Sequence, residues 1–379
     1  MAPAVGLEPT TKRLTAARST TELRRSEDAR APNKAGSAGV GGAGVGAGRR
    51  IARGGGAPGI PARIGADTAR CRPVGHTQVM VNPSPIISPK ALAERLDDPA
   101  LRVVDVHWVL GSPGRGREAY EAGHIPGAIF LDVDSDLVAP EGPGRHPLPD
   151  PVTFRATLEA AGIGSDHTVV AYDDVGGWVA ARLWWMLDDL GHEQVAVLDG
   201  GFPAWVAAGM PVTQNVPDVP AARLDLADHW TKTIDRAGLV EKLGSVVLLD
   251  ARGGPRYRGE TEPIDAVPGH IPTARHAPTD GNLGADGRVL GASELADRFR
   301  DLGADGSAGP VVTSCGSGVA ATFNSLAMRV AGLPDPLLYP GSYSDWTRSG
   351  MPIAVGAEPG DAPADLAAGP NPVGSNAKR

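Results

Sequence analysis

A repeat restricts the possible folds of this chain more than any other feature, because three short stretches occur in the same order in both halves. The first is an apolar run that ends in aspartate, the second begins Gly-His-Ile-Pro, and the third is a glycine-containing turn that leads to a tryptophan. The corresponding residues, with their separation in the sequence, are Asp105 and Asp250 (145), His124 and His270 (146), and Trp205 and Trp346 (141). Three pairs at a nearly constant separation indicate a duplicated domain.

Predicted strands alternate with predicted helices along the chain. Ser88 and Pro89 are typical of a helix start, an N-cap residue followed by proline at the first helical position. Short apolar runs are typical of buried strands. In the first half we predict helices at 88–96, 154–161, 180–190 and from 199 onward, and strands at 101–106, 168–172 and 194–198. This alternation predicts an α/β fold with two tandem domains, each a parallel sheet flanked by helices on both faces.

Turn residues and composition predict the domain boundaries. The stretch Val-Pro-Asp-Val-Pro at 216–220 breaks regular structure, so we predict a linker at 214–228. The first domain then occupies 80–213 and the second 229–356. We predict that residues 357–379 form a disordered tail.

Residues 1–79 differ from the rest of the chain and are predicted to be a disordered Gly/Ala/Arg-rich extension, because they cannot bury a core. Residues 1–75 contain 13 Lys and Arg against 5 Asp and Glu. A transit peptide or a nucleic-acid-binding tail has such a composition. Met80 stands immediately before the first folded segment, however, which favours an over-extended start.

Composition excludes several classes of function. The net charge of −8 argues against a general nucleic-acid-binding surface. The chain has two cysteines, Cys71 and Cys315, so we predict no disulfide framework and a reducing, cytoplasmic setting. No apolar run is long enough to cross a bilayer, and the nine histidines do not cluster at ligand spacing. We therefore predict no transmembrane segment and no metal site.

Cys315 is the candidate nucleophile. The apolar run Val311–Ser314 precedes it, Gly316 and Gly318 follow, and an apolar-periodic segment occupies 319–330, a pattern that predicts strand, tight loop and helix. Such a loop directs backbone N–H groups and the positive end of the helix dipole at its interior, which stabilises a thiolate. A buried structural cysteine is the alternative. The two glycines favour a loop whose backbone closely approaches a reactive sulfur.

The loop also resembles that of a known family. Cys-Gly-Ser-Gly-Val-Ala at 315–320 is similar to the loop Cys-Gly-Ser-Gly-Val-Thr of the 3-mercaptopyruvate sulfurtransferase branch of the rhodanese superfamily. Tyr-x-x-x-His-Ile-Pro-Gly-Ala at 120–128 matches the N-terminal rhodanese signature, and Gly-Ser-Tyr-Ser-Asp-Trp at 341–346 resembles the C-terminal one. The resemblance covers residues 86–355. It implies two tandem rhodanese-like domains, of which the first is inactive, since its loop at 172–177 has aspartates where the second has its cysteine.

The resemblance implies a sulfurtransferase that works by double displacement. The Cys315 thiolate attacks the sulfur of a donor, the rest of the donor leaves, and the enzyme holds a persulfide until an acceptor takes the sulfur. The implied acceptor is cyanide, a small thiol or a thioredoxin-like protein, and no cofactor is implied. The backbone N–H groups of the loop, at Gly316, Gly318, Val319 and Ala320, are implied to bind the donor sulfur and stabilise the persulfide.

Five further residues follow from the resemblance. Arg256 matches the arginine that holds the donor's anionic group in relatives, and a guanidinium suits a carboxylate because its donors form a planar fork. Arg258 is a candidate to assist, with a surface ion pair as the alternative. Ser317 is implied to manage protons together with His146 and Asp134 of the first domain. A solvated histidine is the alternative for His146.

Two features of the sequence favour different donors. Gly316 and Ser317 are neutral, whereas thiosulfate-type loops usually carry basic residues for their dianionic donor, so the loop favours a monoanionic 2-oxo acid such as 3-mercaptopyruvate. A second donor arginine, found after a Glu-Pro step in mercaptopyruvate-specific relatives, is missing from the Glu-Pro-Ile-Asp stretch at 262–265. Because the loop touches the sulfur, we expect 3-mercaptopyruvate. A thiosulfate sulfurtransferase and a persulfide carrier or binding module with little turnover are the alternatives.

Other features of the resemblance concern scaffold and assembly. His124 and His270 are expected to bond backbone groups near the sheet edge rather than to act in catalysis. The tandem arrangement implies an active site between the two domains of one chain. We therefore expect a self-sufficient monomer.

Overall fold

Two parallel sheets organise residues 84–364, the part of the chain that the computed structural model describes. The predicted extension at 1–79, with Cys71, lies outside the described residues. Residues 365–379 of the predicted tail do so as well.

The first sheet contains five strands, all parallel. In chain order they are β1 (Ile86–Ile87), β2 (Leu101–Asp105), β3 (Ile129–Phe130), β4 (Thr168–Tyr172) and β5 (Val195–Leu198). Their spatial order is β1-β5-β4-β2-β3. In the central pair, Val104 lies opposite Ala171 and Asp105 opposite Tyr172. The predicted strand at 168–172 has the same bounds in the structure.

Six helices accompany this sheet in the described chain. They are α1 (Pro89–Ala93), α2 (Arg115–Ala122), α3 (Val133–Asp136), α4 (Pro151–Ala160), α5 (Ala180–Asp189) and α6 (Gly201–Ala207). The predicted start of α1 is confirmed, because the Ser88 side chain accepts a hydrogen bond from the Ala91 N–H and proline follows the cap.

The second sheet repeats the order of the first. Its strands are β6 (Val247–Asp250), β7 (Arg275–His276), β8 (Val311–Ser314) and β9 (Leu337–Leu338), and they lie in the order β7-β6-β8-β9. A parallel bridge from Thr233 to Leu338 takes the place that β1 has in the first sheet. The helices are α7 (Arg236–Lys242), α8 (Gly254–Tyr257), α9 (Ala292–Asp301), α10 (Ala321–Val330) and α11 (Ser342–Arg348), with a 3-10 helix at Thr279–Asn282.

Alternate residues of the central strands face separate apolar cores. In β2, Val104 belongs to the core beneath α5, whereas Val103 belongs to the core beneath α6. In β6, Leu248 packs in the core of α7 and α11, and Leu249 in the core of α9. Both faces of each sheet are thus covered by helices, which confirms the predicted fold class.

The two domains share one apolar core. Helix α5 of the first domain packs against α10 of the second. A single buried cluster contains Leu183 and Trp184 of α5, Phe323 and Leu326 of α10, and also Cys315. The candidate nucleophile therefore lies where the two domains meet.

The two repeated histidines have scaffold roles, as the sequence predicts. His124 stacks on Tyr120 with ring centroids 3.9 Å apart, and its ring nitrogens lie 2.8 and 3.1 Å from the backbone oxygens of Tyr120 and Asn215. His270 stacks on Tyr257 in the same way and contacts two backbone oxygens at the same distances.

The ordered chain extends further than predicted at its C-terminal end. One of the backbone oxygens that His270 contacts belongs to Glu358, and the Pro359 oxygen accepts a hydrogen bond from the Thr273 N–H at 2.7 Å. A disordered tail from residue 357 is therefore wrong in its starting point, because these residues complete the surroundings of His270. Within 84–364, no helix is both long and apolar enough to span a membrane.

Candidate active site

Cys315 begins the loop that joins β8 to α10. Its side chain is only 3% exposed, and the Gly318 N–H donates to its Sγ at 3.1 Å. Gly318 has a left-handed φ of 80°, and a Cβ there would lie 2.5 Å from the Pro340 carbonyl oxygen. The loop can therefore close around the sulfur only with glycine at this position.

Most backbone N–H groups of this loop remain available. Those of Gly316, Ser317, Val319 and Ala320 donate no hydrogen bond to any group within the described residues. Helix α10 begins directly after them, so its positive end faces the same interior. The loop thus offers several donors to an anion larger than the thiolate.

The equivalent loop of the first domain surrounds a carboxyl group with its backbone N–H groups. Asp173 takes the place of Cys315, since the Phe202 N–H donates to its carbonyl as the Tyr343 N–H donates to that of Cys315. The buried Asp173 carboxylate accepts four loop N–H groups at 2.7 to 3.0 Å, from Val175, Gly177, Val179 and Ala180. Burial raises the pKa of the Asp173 carboxyl, and the four N–H groups oppose this. A carboxyl group thus fills the first loop, which has no cysteine.

Ser342 supports the cysteine loop from α11. Its Oγ accepts from the Cys315 N–H at 3.1 Å and donates to the Tyr339 carbonyl at 2.9 Å. Ser342 has a φ of 51°, a left-handed conformation that is costly for a residue with a Cβ. The first domain has Gly201 at the equivalent position, which offers no hydroxyl to its own loop.

The structure brings together the three residues implied to manage protons. The Ser317 Oγ lies 2.6 Å from the His146 Nδ1, and the His146 Nε2 lies 3.7 Å from an Asp134 oxygen. The Trp108 indole N–H donates to that same oxygen at 2.9 Å. A chain of polar groups thus runs from the second domain into the first.

Electrostatics keep His146 neutral. Burial lowers the pKa of His146 to about 4, and the nearby charges of Arg182 and Arg145 act in the same direction. Burial also raises the pKa of Asp134, although the hydrogen bond from Trp108 opposes this. At neutral pH the His146 ring is therefore uncharged, and one of its nitrogens has a free lone pair.

Arg182 of α5 connects the two domains below the site, and the sequence analysis missed it. Its side chain is 0% exposed, and it donates to the Gly318 carbonyl at 3.1 Å and to the carbonyls of Leu137, His146 and Pro147. Burial lowers the pKa of Arg182 to about 10, while the negative charge of Cys315 opposes this, so the guanidinium is charged at neutral pH. It places a buried positive charge next to the cysteine loop.

A pocket of about 290 Å³ lies over Cys315, and both domains line it. The second domain contributes the cysteine loop from Cys315 to Ala320, together with Arg252 and Arg256. The first domain contributes Trp108, Leu110, Arg145 and Trp178. One chain therefore holds a complete pocket.

Arg256, predicted to hold the donor, lies in this pocket but is already paired. Its Nη2 lies 2.8 Å from Glu262 and 3.0 Å from Asp265. Burial disfavours the charge on Glu262, but the bonds from Arg256 and from backbone N–H groups outweigh it and lower the pKa of this carboxyl. The Arg256 guanidinium thus lines the pocket while it is paired with two carboxyl groups.

Arg258 does not reach the pocket. It lies at the surface, where its Nε contacts Glu260 at 2.7 Å, so the alternative of a surface ion pair describes it correctly. Arg145 lines the pocket instead, and the sequence analysis did not select it. The sequence contains one indication that Arg145 lies in the site, its position next to His146, because two adjacent residues of one loop can approach the same site.

The described residues contain no group of three or more side chains that could hold a metal ion. The site combines a buried thiol, a neutral histidine and three arginines around one pocket.

Comparisons with known proteins identify the family of this chain. A model of the rhodanese-like domain matches residues 88–208 and 236–349. A probable 3-mercaptopyruvate sulfurtransferase of Pseudomonas aeruginosa is 44% identical over 278 residues, which cover 72% of this chain and 98% of the relative. A putative thiosulfate sulfurtransferase of Mycobacterium tuberculosis is 41% identical over 65% of this chain and 87% of the relative.

Solved structures give the same result. A 3-mercaptopyruvate sulfurtransferase from Leishmania major has a TM-score of 0.61 at 32% identity, over 69% of this chain and 74% of that one. The Escherichia coli 3-mercaptopyruvate enzyme has a TM-score of 0.61 at 28% identity, over 69% of this chain and 100% of that one. The chain therefore belongs to the rhodanese family, as its sequence predicts. Like these relatives, it is a sulfurtransferase.

Proposed function

We propose that this protein takes sulfur from 3-mercaptopyruvate, holds it as a persulfide on Cys315 and passes it to a thiol or cyanide. The observation that carries the choice of donor is the 2.6 Å contact between Ser317 and the neutral ring of His146. A thiol donor needs a proton moved during the reaction, whereas thiosulfate does not. A hydroxyl bonded to a neutral histidine supports the reaction with 3-mercaptopyruvate, which requires this proton transfer.

The proton requirement follows from the balance of the first step. The Cys315 thiolate forms a bond to the donor sulfur, the bond from that sulfur to C3 breaks, and its electron pair leaves on the pyruvate enolate. The hydrogen of the donor thiol has to leave the sulfur, and C3 has to gain one. The products are pyruvate and an enzyme persulfide anion, with charge and atoms conserved.

Ser317, His146 and Asp134 are suited to this transfer. Neutral His146 accepts the thiol proton through the Ser317 hydroxyl and returns it toward C3 by the same route. Asp134 lies on the opposite side of the ring, where its charge stabilises the imidazolium that forms in between. The Trp108 hydrogen bond fixes the carboxylate for this purpose.

Charge in the pocket also favours a monoanion. Arg145, Arg252 and Arg256 contribute three positive charges, and their partners Asp250, Glu262 and Asp265 contribute three negative ones. Thiosulfate would bring two further negative charges into a pocket whose loop residues Gly316 and Ser317 are neutral. 3-Mercaptopyruvate brings only one.

The second step uses the open N–H groups of the cysteine loop. A persulfide extends one atom beyond Sγ, and the free amides of the loop can stabilise its terminal sulfur as the first-domain amides stabilise the Asp173 carboxylate. Cyanide, a small thiol or the cysteine of a thioredoxin-like protein then removes this sulfur. Because one chain forms the whole pocket, we propose a monomer. The low cysteine content supports a reducing compartment such as the cytoplasm.

Steady-state kinetics with the two donors tests the proposal. We expect kcat/KM for 3-mercaptopyruvate to exceed that for thiosulfate by at least about tenfold, since one unfavourable charge of about 1.4 kcal/mol has that effect. A thiol acceptor and cyanide are compared in the same assay. Preference for thiosulfate would make the protein a thiosulfate sulfurtransferase. A loaded enzyme that releases sulfur to neither acceptor would be a carrier.

The pH dependence tests the role of His146. With a His146 pKa of about 4, kcat/KM for 3-mercaptopyruvate should hold from neutral pH down to pH 5 and fall only near pH 4, as the ring becomes protonated. A histidine at its ordinary pKa would cause the fall near pH 6.5. The His146→Gln variant should lose about a hundredfold in rate and this acidic limb together. A variant that keeps the limb would assign it to another group, such as Asp134.

A further inference from the structure

We propose that Arg145 of the first domain and Arg256 of the second form a joint binding site for the donor's carboxylate, and that Asp265 both aligns this pair and limits it to monoanions. The inference rests on the proposed function, because it concerns the donor of that reaction. It assigns donor selection to a contact between the two domains.

Asp265 bridges the two arginines. One of its oxygens contacts the Arg145 Nη1, and the other lies 3.0 Å from the Arg256 Nη2. Its side chain is only 5% exposed. A buried carboxylate between two guanidinium groups fixes their separation, since each arginine gives it one nitrogen.

The remaining guanidinium nitrogens converge beside the cysteine loop. A Cβ built on Gly316 would lie 2.8 Å from the Arg145 Nη2 and 3.5 Å from the Arg256 Nη1. Neither nitrogen donates to an acceptor within residues 84–364, and the Arg145 Nε is buried without a partner. Two open donors from different domains therefore point to one place, next to the residue that follows Cys315.

A carboxylate fits this place. Its two oxygens can each accept from one guanidinium, and both arginines line the pocket that contains Cys315. Glycine at 316 leaves this place open, because a Cβ there would displace the Arg145 guanidinium. The carboxylate of a short 2-oxo acid held here leaves its thiol end toward the cysteine.

The charge of Asp265 then acts as a selector. Asp265 and Glu262 balance the two arginines, so the pair presents hydrogen-bond donors with little excess charge. Removing one negative charge changes the potential at the site by a fixed amount. The effect on the logarithm of affinity is therefore twice as large for a dianion as for a monoanion.

The first test is Asp265→Asn, which removes the charge and keeps an oxygen. We expect kcat/KM for 3-mercaptopyruvate to rise about threefold and that for thiosulfate about tenfold, which narrows the difference between the donors. Glu260→Gln is the matched control, since it removes a charge from the same loop at the surface. If both variants changed kcat/KM equally, Asp265 would not be a selector. The same would follow if Asp265→Asn left the ratio of kcat/KM for the two donors unchanged.

The second test is Arg145→Met, which removes one half of the carboxylate site. We expect the KM for 3-mercaptopyruvate to rise at least about tenfold, while the rate at which uncharged iodoacetamide alkylates Cys315, measured at a pH where the thiol is fully ionised, stays the same. Arg115→Met, at a surface pair on α2, should change neither quantity. Arg145→Lys keeps the positive charge but loses the planar fork of the guanidinium. Its KM for 3-mercaptopyruvate should lie between those of the wild type and Arg145→Met.

The outcomes separate this inference from the proposed function. An unchanged KM in Arg145→Met overturns the joint site, even if wild-type enzyme prefers 3-mercaptopyruvate. Loss of alkylation along with donor binding would also overturn it, because it would show general damage to the cysteine loop. If the wild type used neither donor, the proposed function itself would fail.

Discussion

Replacing Cys315 by serine should abolish sulfur transfer, with kcat/KM lowered at least about a thousandfold. A hydroxyl in place of the thiol neither ionises at neutral pH nor forms a persulfide. Mass spectrometry after incubation with donor alone should show one added sulfur atom on the wild type and none on the variant. The steady-state assay with a thiol acceptor measures the loss of turnover.

The second cysteine of the chain provides the control. Cys71→Ser should keep full activity and still acquire one sulfur atom, since Cys71 has no part in the proposed site. If Cys315→Ser still carried sulfur to the acceptor, the persulfide mechanism would be wrong. Loss of loading in Cys71→Ser would show instead that two cysteines take part.

Replacing Arg182 by leucine should damage both stability and activity. The carbonyls of Leu137, His146 and Gly318 would be left buried without a hydrogen bond, at a cost of about 3 kcal/mol or more, whereas that of Pro147 would keep the bond from the Ala139 N–H. This corresponds to a fall in Tm of roughly 6 °C or more for a domain pair of this size. Sulfur transfer should fall as well, because the carbonyls include that of Gly318, whose N–H contacts the Cys315 sulfur.

The Arg182→Lys variant separates charge from geometry. Lysine keeps the positive charge near the cysteine but cannot reach all four carbonyls, so we expect a smaller loss of Tm. Thermal unfolding and the rate of Cys315 alkylation against pH measure the two effects. An unchanged Tm in Arg182→Leu would contradict the structural role assigned to this residue.

Local patterns explain why the sequence predicted so much of the fold. The strand before Cys315, the glycines after it and the helix that follows are all set by neighbouring residues, and the structure has β8, the loop and α10 in that order. The helix begins at Ala321 rather than near Val319, because the left-handed Gly318 delays it. The repeat also predicted two equivalent sheets, since a duplicated pattern folds twice.

Contacts between distant residues explain what the sequence missed. Arg182 and Gly318 are 136 residues apart, and an arginine inside a helix pattern gives no local sign that it is buried. Arg145 gave only the weak signal of its neighbour His146, which lies 171 residues from Ser317. Ser342 could have been found, because the second repeat has serine where the first has Gly201.

The loop around Asp173 provides an internal reference for measurements on the Cys315 loop. The Asp173 carboxyl group keeps one size throughout the reaction cycle, whereas the group on Cys315 gains and loses one sulfur atom at each turnover. The amides around Asp173 and those around Cys315 belong to equivalent loops of the duplicated domain. Both sets are measured in the same sample, at one protein concentration and temperature. Amide signals of the Cys315 loop that change on sulfur loading can therefore be compared with those of the Asp173 loop, which should stay the same.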